Sequence, residues 1–196
     1  MGPSGWIRVG KWTAFACAPL LAINLAVATF GNTVVFPLSP FRLADKTAAL
    51  GRYFAHRPRC LGRGHGDLQP LIRAAERRHR LPRGLLAAIV QIESGGRPHR
   101  ISWAGAMGPA QIMPATARQL GLGDPFDPET ALDASARYLS WQLARYRNVR
   151  LAVAAYNAGP GAVAVAGKVP QNGETEHYVR KVLHLFRSRH PLAGRT

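Results

Sequence analysis

Apolar residues recur from residue 67 onward at the three- and four-residue spacing of amphipathic helices. This spacing predicts helices over residues 68–79, from about 82 to 93 or 94, 115–120, 128 to about 146, about 149–157 and 174–188. No run alternates polar and apolar residues for long enough to indicate a strand. The sequence therefore predicts a mainly α-helical domain over residues 67–190.

Capping and turn residues set the predicted helix ends. Asp67 is a suitable N-cap for the first helix, and Pro82 fits the first turn of the second. Asp127 and Pro128 form a cap followed by a first-turn proline, which begins the long helix. Residues 158–160, Ala-Gly-Pro, end the helix that starts near 149, and we expect a glycine-rich connection after them.

The first 30 residues have the pattern of an export segment. Arg8 and Lys11 precede a mostly apolar run over residues 12–30, and small residues occupy 26–28. The run is almost long enough to span a bilayer. We predict that residues 1–30 are a signal peptide or a membrane anchor, which places the protein in the periplasm or cell envelope. The alternative is a buried core helix.

Residues 31–66 are rich in Pro, Gly, Arg and His, which is typical of a connector. One short amphipathic helix is predicted over residues 41–54. The rest resembles a basic tether suited to a polyanionic surface, and a disordered linker is the alternative.

The net charge of the chain indicates a polyanionic partner but does not identify which polyanion. The chain has 196 residues, with 26 Lys and Arg against 10 Asp and Glu, a net charge of +16. Such a chain should bind polyanions, namely nucleic acid, anionic lipid or acidic wall polymers. The sequence contains no nucleic-acid recognition motif, so we do not expect nucleic acid to be a partner. We expect contact with a membrane only through residues 1–30. No disulfide is expected, since removal of residues 1–30 would leave Cys60 alone.

No metal or other cofactor is expected either. His99, His177 and His184 lack a further ligand at a recognisable spacing.

A single acid follows the most apolar stretch of the predicted domain. Glu93 comes directly after residues 85–92, and Ser94, Gly95 and Gly96 then break the helix. A carboxyl group in the last turn of a buried helix is desolvated and faces the negative end of the helix dipole. Both effects raise its pKa, as a general acid for glycoside cleavage requires. The alternative is a glutamate in water at a frayed helix end.

Separate blocks in one order carry a family resemblance. They are Glu93-Ser94-Gly95, Ser102, Gly-Ala-Met-Gly at 105–108, Gln-Ile-Met-Pro at 111–114, Ala-Tyr-Asn-Ala-Gly-Pro-Gly at 155–161, and Glu174-Thr175 leading to Tyr178-Val179. Over about residues 67–188 the chain resembles the soluble lytic transglycosylases, relatives of goose-type lysozyme. The resemblance implies a lysozyme-like fold. It also implies cleavage of the β-1,4 bond between N-acetylmuramic acid and N-acetylglucosamine without water, leaving a 1,6-anhydro end.

The acids after Glu93 fit a single-carboxyl mechanism. Most glycosidases place two carboxyl groups around the bond. No acid follows Glu93 until Asp124, and Asp124, Asp127 and Asp133 are explained as turn, cap and helix-surface residues. Glu93 would then donate a proton to the leaving oxygen and afterwards act as base on the 6-hydroxyl.

The resemblance assigns substrate-binding positions to Ser102, Gln111, Met113, Tyr156, Asn157 and Tyr178. The first two would hold N-acetyl and hydroxyl groups, the methionine would line a sugar subsite, and Tyr156 would contact the sugar. Asn157 is expected to secure the loop backbone, and Tyr178 to position Glu93 or to be a core tyrosine. Trp103 and Trp141 match no block, so we expect both to be packing residues.

The sequence departs from the family at a few places and leaves alternatives open. Pro109-Ala110 replaces Leu-Met before Gln111, and Ala131 and Ser135 replace Asn and Gly. One alternative is a hydrolytic muramidase. Another is an inactive cell-wall-binding module of an envelope assembly. The expected partners are peptidoglycan glycan strands and, from the small size, envelope secretion or division machinery.

Overall fold

The structure is a computed structural model that describes residues 4–31, 33, 39–60 and 67–188. For residues 4–16 and 57–60 it describes the backbone only. Its helices are α1 (Ser4–Gly31), α2 (Leu43–Cys60), α3 (Gln69–Arg78), α4 (Leu85–Ser94), α5 (Pro114–Gln119), α6 (Pro128–Tyr146), α7 (Val149–Ala158), α8 (Pro160–Ala166) and α9 (Glu174–Ser188). These described residues contain isolated β-bridges but no strand. The predicted mainly α-helical fold is confirmed.

The core is built around α4. Every residue from Leu85 to Val90 is buried, because α3 packs against α4 on one side and α9 on another. Helix α7 in turn contacts α6 and α9. The continuous apolar stretch makes α4 an interior helix. Because α4 packs against α3 and α9, its C-terminal end is held in a fixed position.

The cap predictions are partly right. Asp127 accepts a hydrogen bond from the Thr130 backbone N–H at 3.0 Å, so the predicted start of α6 is confirmed. At α3 the cap position is Leu68, and Asp67 instead accepts from the Gln69 N–H. Helix α4 starts at Leu85, later than Pro82 suggested, because the intervening Gly84 has a left-handed φ of 85°.

The glycine-rich connection predicted after residue 160 is wrong. Pro160 occupies the first turn of α8, where its fixed φ and missing N–H suit a helix start. Small residues over 161–166 carry little periodic signal, but Val163 is buried and anchors the helix. Gly167 then closes α8 in a left-handed conformation with φ of 64°.

Residues 43–54 are helical, as predicted, and residues 55–60, predicted as part of the tether, continue the same helix. They form one helix, longer than the predicted 41–54, and Ala49 and Leu50 belong to the hydrophobic core. Residues 32, 34–38 and 61–66 of the predicted connector lie outside the described residues. The divisions at residues 30 and 66 stay predictions.

The second half of α1 packs against α2. Val27 is buried in the core, and the fully buried Lys46 donates from Nζ to Asn24 Oδ1 at 2.7 Å. Within the described part of the chain, no helix combines the length and apolar character needed to cross a membrane. The export or anchor role of residues 1–30 stays a prediction.

The α1–α2 pair also contacts the loop that follows α4. A Cβ on Gly105, whose φ is 87°, would lie 2.6 Å from the Asp45 backbone carbon, so this close approach requires glycine. A Cβ on Gly31 would meet the carbonyl oxygen of Ile101. The loop that carries Ser102 is therefore supported by residues outside the predicted domain.

Candidate active site

Glu93 occupies the last turn of α4, as predicted. Helix α4 ends at Ser94, and Gly95 follows in a left-handed conformation with φ of 67° while its N–H bonds to the Gln91 carbonyl. This glycine cap stops the helix directly after the carboxylate. The side chain of Glu93 is half-buried at the end of an otherwise buried helix.

The environment of Glu93 raises its pKa to about 7 from an ordinary 4.5. Desolvation by burial is the largest cause, and the nearby charge of Glu174 adds to it. A hydrogen bond from Tyr178 and the charge of Arg100 act in the opposite direction. The predicted rise is confirmed, and the carboxyl group is partly protonated near neutral pH.

Tyr178 holds the Glu93 carboxyl group in place. The Tyr178 hydroxyl donates to Glu93 Oε1 at 2.7 Å, from a buried position on α9. Burial, then the charge of Glu93, keeps the pKa of Tyr178 well above its ordinary value, so the hydroxyl remains a neutral donor. The contact expected between these residues is present.

Tyr156 lies beside the same carboxyl group on α7. Its hydroxyl donates to the Ala110 carbonyl at 3.0 Å and ties α7 to the loop after α4. Burial, followed by the charge of Glu93, raises the Tyr156 pKa. Tyr138 flanks the ring at a centroid distance of 5.6 Å. Tyr156 thus forms part of the wall around Glu93.

Ser102 and Gln111 shape the loop between α4 and α5. Ser102 Oγ accepts from the N–H groups of Ala104 and Ala106 at 3.3 and 2.9 Å, so it acts as a turn residue. Gln111, at a left-handed φ of 50°, donates from Nε2 to the carbonyls of Arg100 and Gly108. The hydroxyl hydrogen of the serine and the amide oxygen of the glutamine have no hydrogen-bond partner among the described residues.

Met113 and Asn157 are half-buried at the ends of two helices. Met113 is the N-cap residue of α5, and Asn157 lies in the last turn of α7. The Asn157 side chain makes no hydrogen bond to the described residues. The loop after α7 is secured by Tyr146, whose hydroxyl donates to the Pro160 carbonyl at 2.8 Å. The anchoring role expected of Asn157 stays a prediction.

Two arginines near Glu93 were missed by the sequence argument. Arg97 Nε donates to the Ser94 carbonyl at 2.8 Å, directly beside Glu93 in the chain. Arg100 also lies near Glu93, and its charge lowers the pKa of Glu93. Their closeness in sequence to Glu93 was an available signal.

A second buried acid, Glu76, was also missed. Its carboxylate accepts hydrogen bonds from the N–H groups of Gly84, Leu86 and Ala87 at 2.9, 3.0 and 3.2 Å. These amides belong to the N-terminal turn of α4, so Glu76 anchors the opposite end of the helix that carries Glu93. An acid search restricted to residues after Glu93 does not find it.

The aspartates after Glu93 have the structural roles expected of them. Asp124 accepts from the Phe126 N–H at 3.0 Å and pairs with His56, and Asp133 pairs with Arg78 and His79. Glu174 differs, since it lies within electrostatic reach of Glu93. It is an exposed residue at the start of α9.

The two tryptophans are only partly packing residues, because about half of each side chain is exposed. Trp103 and Trp141 are 50% and 52% exposed. Trp103 stacks on Phe41 at a centroid distance of 5.4 Å, and the Arg137 guanidinium lies over Trp141 at 5.5 Å. Both rings therefore pack on one face and meet solvent on the other.

A cavity of about 920 Å³ lies apart from Glu93. Its lining includes His56, Asp124, Asp133 and Arg137, and none of the predicted site residues. No cluster of three or more metal-ligating side chains occurs in the ranges that the structure describes.

The chain is similar to proteins of known families. The family model described as the Transglycosylase SLT domain matches residues 70–179. The transglycosylase of Enterobacteria phage PRD1 is 42% identical over 88 residues, covering 45% of this chain and 33% of that protein. The membrane-bound lytic murein transglycosylase C of Mannheimia succiniciproducens is 39% identical over 116 residues, covering 47% and 31%. The chain thus spans about a third of the length of these relatives.

A solved structure shares the fold. The lytic transglycosylase Slt of Pseudomonas aeruginosa, solved as an inactive mutant, has a TM-score of 0.54 and 24% sequence identity. The match covers 76% of this chain and 31% of that chain. The match shows a shared helical fold.

Proposed function

Since the chain belongs to the family of the Transglycosylase SLT domain, we propose that it cleaves the glycan strands of murein, the substrate named for one of its relatives. The observation that carries this proposal is the half-buried Glu93, whose pKa is about 7 and whose carboxyl group is held by Tyr178. Such a group is able to donate a proton near neutral pH and then to accept one.

Glu93 acts twice in the proposed reaction. It first donates its proton to the oxygen that links C1 of the muramoyl residue to N-acetylglucosamine, and the C1–O bond breaks. The resulting carboxylate then takes the proton of the muramoyl 6-hydroxyl, whose oxygen bonds to C1. The products are a free N-acetylglucosamine hydroxyl and a 1,6-anhydro end. Glu93 is protonated again, and no water is consumed.

The residues around Glu93 supply binding groups for the sugar. The Ser102 hydroxyl donates and the Gln111 amide oxygen accepts, while Met113 and the Tyr156 ring provide apolar surface. The amide of Asn157, which has no hydrogen-bond partner among the described residues, follows Tyr156 in the chain and hydrogen-bonds the glycan in this proposal.

A hydrolytic muramidase is the second function that an observation favours. Glu174 is a second carboxyl group within electrostatic reach of Glu93, and hydrolysis of a glycoside uses such a pair. The Tyr178 bond and the lack of any acid directly bonded to Glu93 among the described residues favour the single-acid reaction.

The proposed substrate also sets the place of action. Murein lies in the cell envelope, and residues 1–30 have the pattern of an export segment or anchor. The net charge of +16 suits binding to anionic wall polymers. Envelope secretion or division machinery would be the protein partner in this proposal.

Digestion of purified peptidoglycan tests the proposed reaction directly. We expect soluble fragments that end in 1,6-anhydro-muramoyl groups, each one water lighter than the hydrolysed fragment, in mass spectrometry. Reducing ends at the mass of the hydrolysed product would establish the muramidase instead. Intact sacculi after incubation with folded protein would contradict both enzymes and leave the wall-binding module.

Tyr178→Phe is expected to lower kcat/KM on peptidoglycan about tenfold, because the Glu93 carboxyl group loses one hydrogen bond of ordinary strength. The bond lowers the pKa of Glu93, so its removal raises that pKa. Activity that requires protonated Glu93 falls as pH rises through about 7 in the wild type. In the variant this fall should move to higher pH in a pH–rate profile.

Tyr53→Phe is the matched control for the tyrosine variant. Tyr53 is half-buried and packs against Phe30 and Phe126, away from Glu93. Its pH–rate profile should coincide with that of the wild type. An unmoved profile in Tyr178→Phe would show that this hydroxyl does not position the acid.

A further inference from the structure

Two guanidinium groups lie on the short segment that follows α4. Arg97 is exposed, and its Nε bond to the Ser94 carbonyl fixes it at the C-terminal end of the helix. The backbone carbonyl of Arg100 is fixed by the N–H of Gly108 at 2.8 Å and by Gln111 Nε2 at 3.1 Å. The loop thus holds two cations beside the Glu93 site.

The Arg100 side chain has an unmet hydrogen-bonding group. Its Nε atom is buried and has no hydrogen-bond partner among the described residues. A buried donor without a partner is unfavourable, and an acceptor supplied from outside the chain would satisfy it. Arg100 forms no ion pair with Glu93 among those residues, although each alters the pKa of the other.

The acceptor that suits this place carries a negative charge. Arg97 and Arg100 are three residues apart on this loop, and the positive charge of Arg97 lowers the pKa of Arg100. An anion between them relieves that repulsion and satisfies the buried Nε at once. Guanidinium groups match the two oxygens of a carboxylate in particular.

We propose that Arg97 and Arg100 form a carboxylate-binding subsite next to Glu93, which selects murein strands by a carboxylate on the muramoyl side of the cleaved bond. This inference rests on the proposed function. The carboxylate has two possible sources, namely the lactyl group of a peptide-free muramoyl residue and the peptide stem of a substituted one. Both present the same chemistry to the subsite.

Soluble glycan oligomers of one length distinguish the sources. One pair is peptide-free, with the lactyl carboxylates either free or converted to methylamides. The other pair carries peptide stems, with their carboxylates either free or amidated. We expect kcat/KM of the wild type to be about tenfold higher for the free member of one pair, and that pair identifies the source.

Arg100→Gln is expected to reduce the ratio of kcat/KM between the carboxylate probe and its amide to about one. The variant should lose kcat/KM on the carboxylate probe and change little on the amide. Arg73→Gln is the matched control, because Arg73 is exposed on α3 and its replacement removes the same charge. The control should keep the wild-type ratio. A rise in the pKa of Glu93 after loss of Arg100 would affect both probes of a pair equally, so the ratio separates it from carboxylate binding.

Equal rates of the wild type on both members of both pairs would overturn the subsite while leaving the proposed function intact. So would an equal loss of Arg100→Gln on carboxylate and amide probes. If the wild type cleaves no probe, calorimetric titration of the Glu93→Gln protein with the same four probes decides the matter. Equal affinity within each pair would then overturn the subsite on binding alone.

Discussion

Glu93→Gln is expected to lower kcat/KM on peptidoglycan by about a thousandfold or more, because the amide neither donates the proton to the leaving oxygen nor accepts one from the 6-hydroxyl. Glutamine keeps the size of the side chain and an oxygen that accepts the Tyr178 hydrogen bond. Binding to glycan should therefore remain near the wild-type value. Release of soluble fragments and cosedimentation with sacculi measure these two properties separately.

The same variant should be more stable than the wild type at alkaline pH. The folded state raises the pKa of Glu93 from 4.5 to about 7, so folding is opposed by ionisation of this group. The cost is absent below pH 4.5, grows as pH rises towards 7 and is then constant, at up to about 3 kcal/mol. Urea unfolding at pH 4.5 and pH 8 should show that Glu93→Gln gains relative stability only at the higher pH.

Glu174→Gln and Glu129→Gln are the informative companions of this variant. Glu174 raises the pKa of Glu93, so its replacement should lower that pKa and retain most of the activity if Glu93 acts alone. A loss as large as that of Glu93→Gln would establish a two-carboxylate mechanism. Glu129 is exposed on the first turn of α6 and should leave activity unchanged. Full activity of Glu93→Gln would contradict the proposed role of this acid.

The parts of the fold that could be predicted are those determined by residues close together in sequence. The apolar run of residues 85–92 followed by Gly95 gave both a buried helix and the position of Glu93 at its end. The Asp127-Pro128 pair likewise fixed the start of α6. Each of these features depends on neighbours within a few residues, and the physical rules for caps and periodicity act over that distance.

The parts that could not be predicted depend on distant residues. The sequence places Lys46 in a basic connector, where a lysine is expected to be solvated. In the structure it is fully buried and donates a hydrogen bond to Asn24. Arg100 follows Glu93 closely in sequence, but nothing in the sequence indicates that its Nε is buried without a partner among the described residues. Helix α8 could not be predicted because its small residues show no clear helical periodicity. Tertiary contacts, and not local propensity, decide each of these.

Removal of Glu76 is expected to destabilise the protein more than loss of most single side chains. Glu76 is 3% exposed and accepts from three backbone N–H groups at the start of α4. Glu76→Ala leaves these buried donors without an acceptor and removes a negative charge from the positive end of the helix. We expect a loss of about 3–5 kcal/mol in the free energy of unfolding, measured by urea denaturation at pH 7.

Glu76→Gln and Glu129→Ala separate the causes of this loss. The glutamine keeps one acceptor oxygen, so it should lose less than the alanine, and the difference reports the second oxygen and the charge. Glu129→Ala also removes an acid from a first helical turn, but an exposed one, and should cost under about 1 kcal/mol. Because α4 carries Glu93 at its other end, activity of the remaining folded Glu76→Ala protein should fall as well. A loss under about 1 kcal/mol for Glu76→Ala would mean that water replaces the carboxylate, and that α4 does not depend on this anchor.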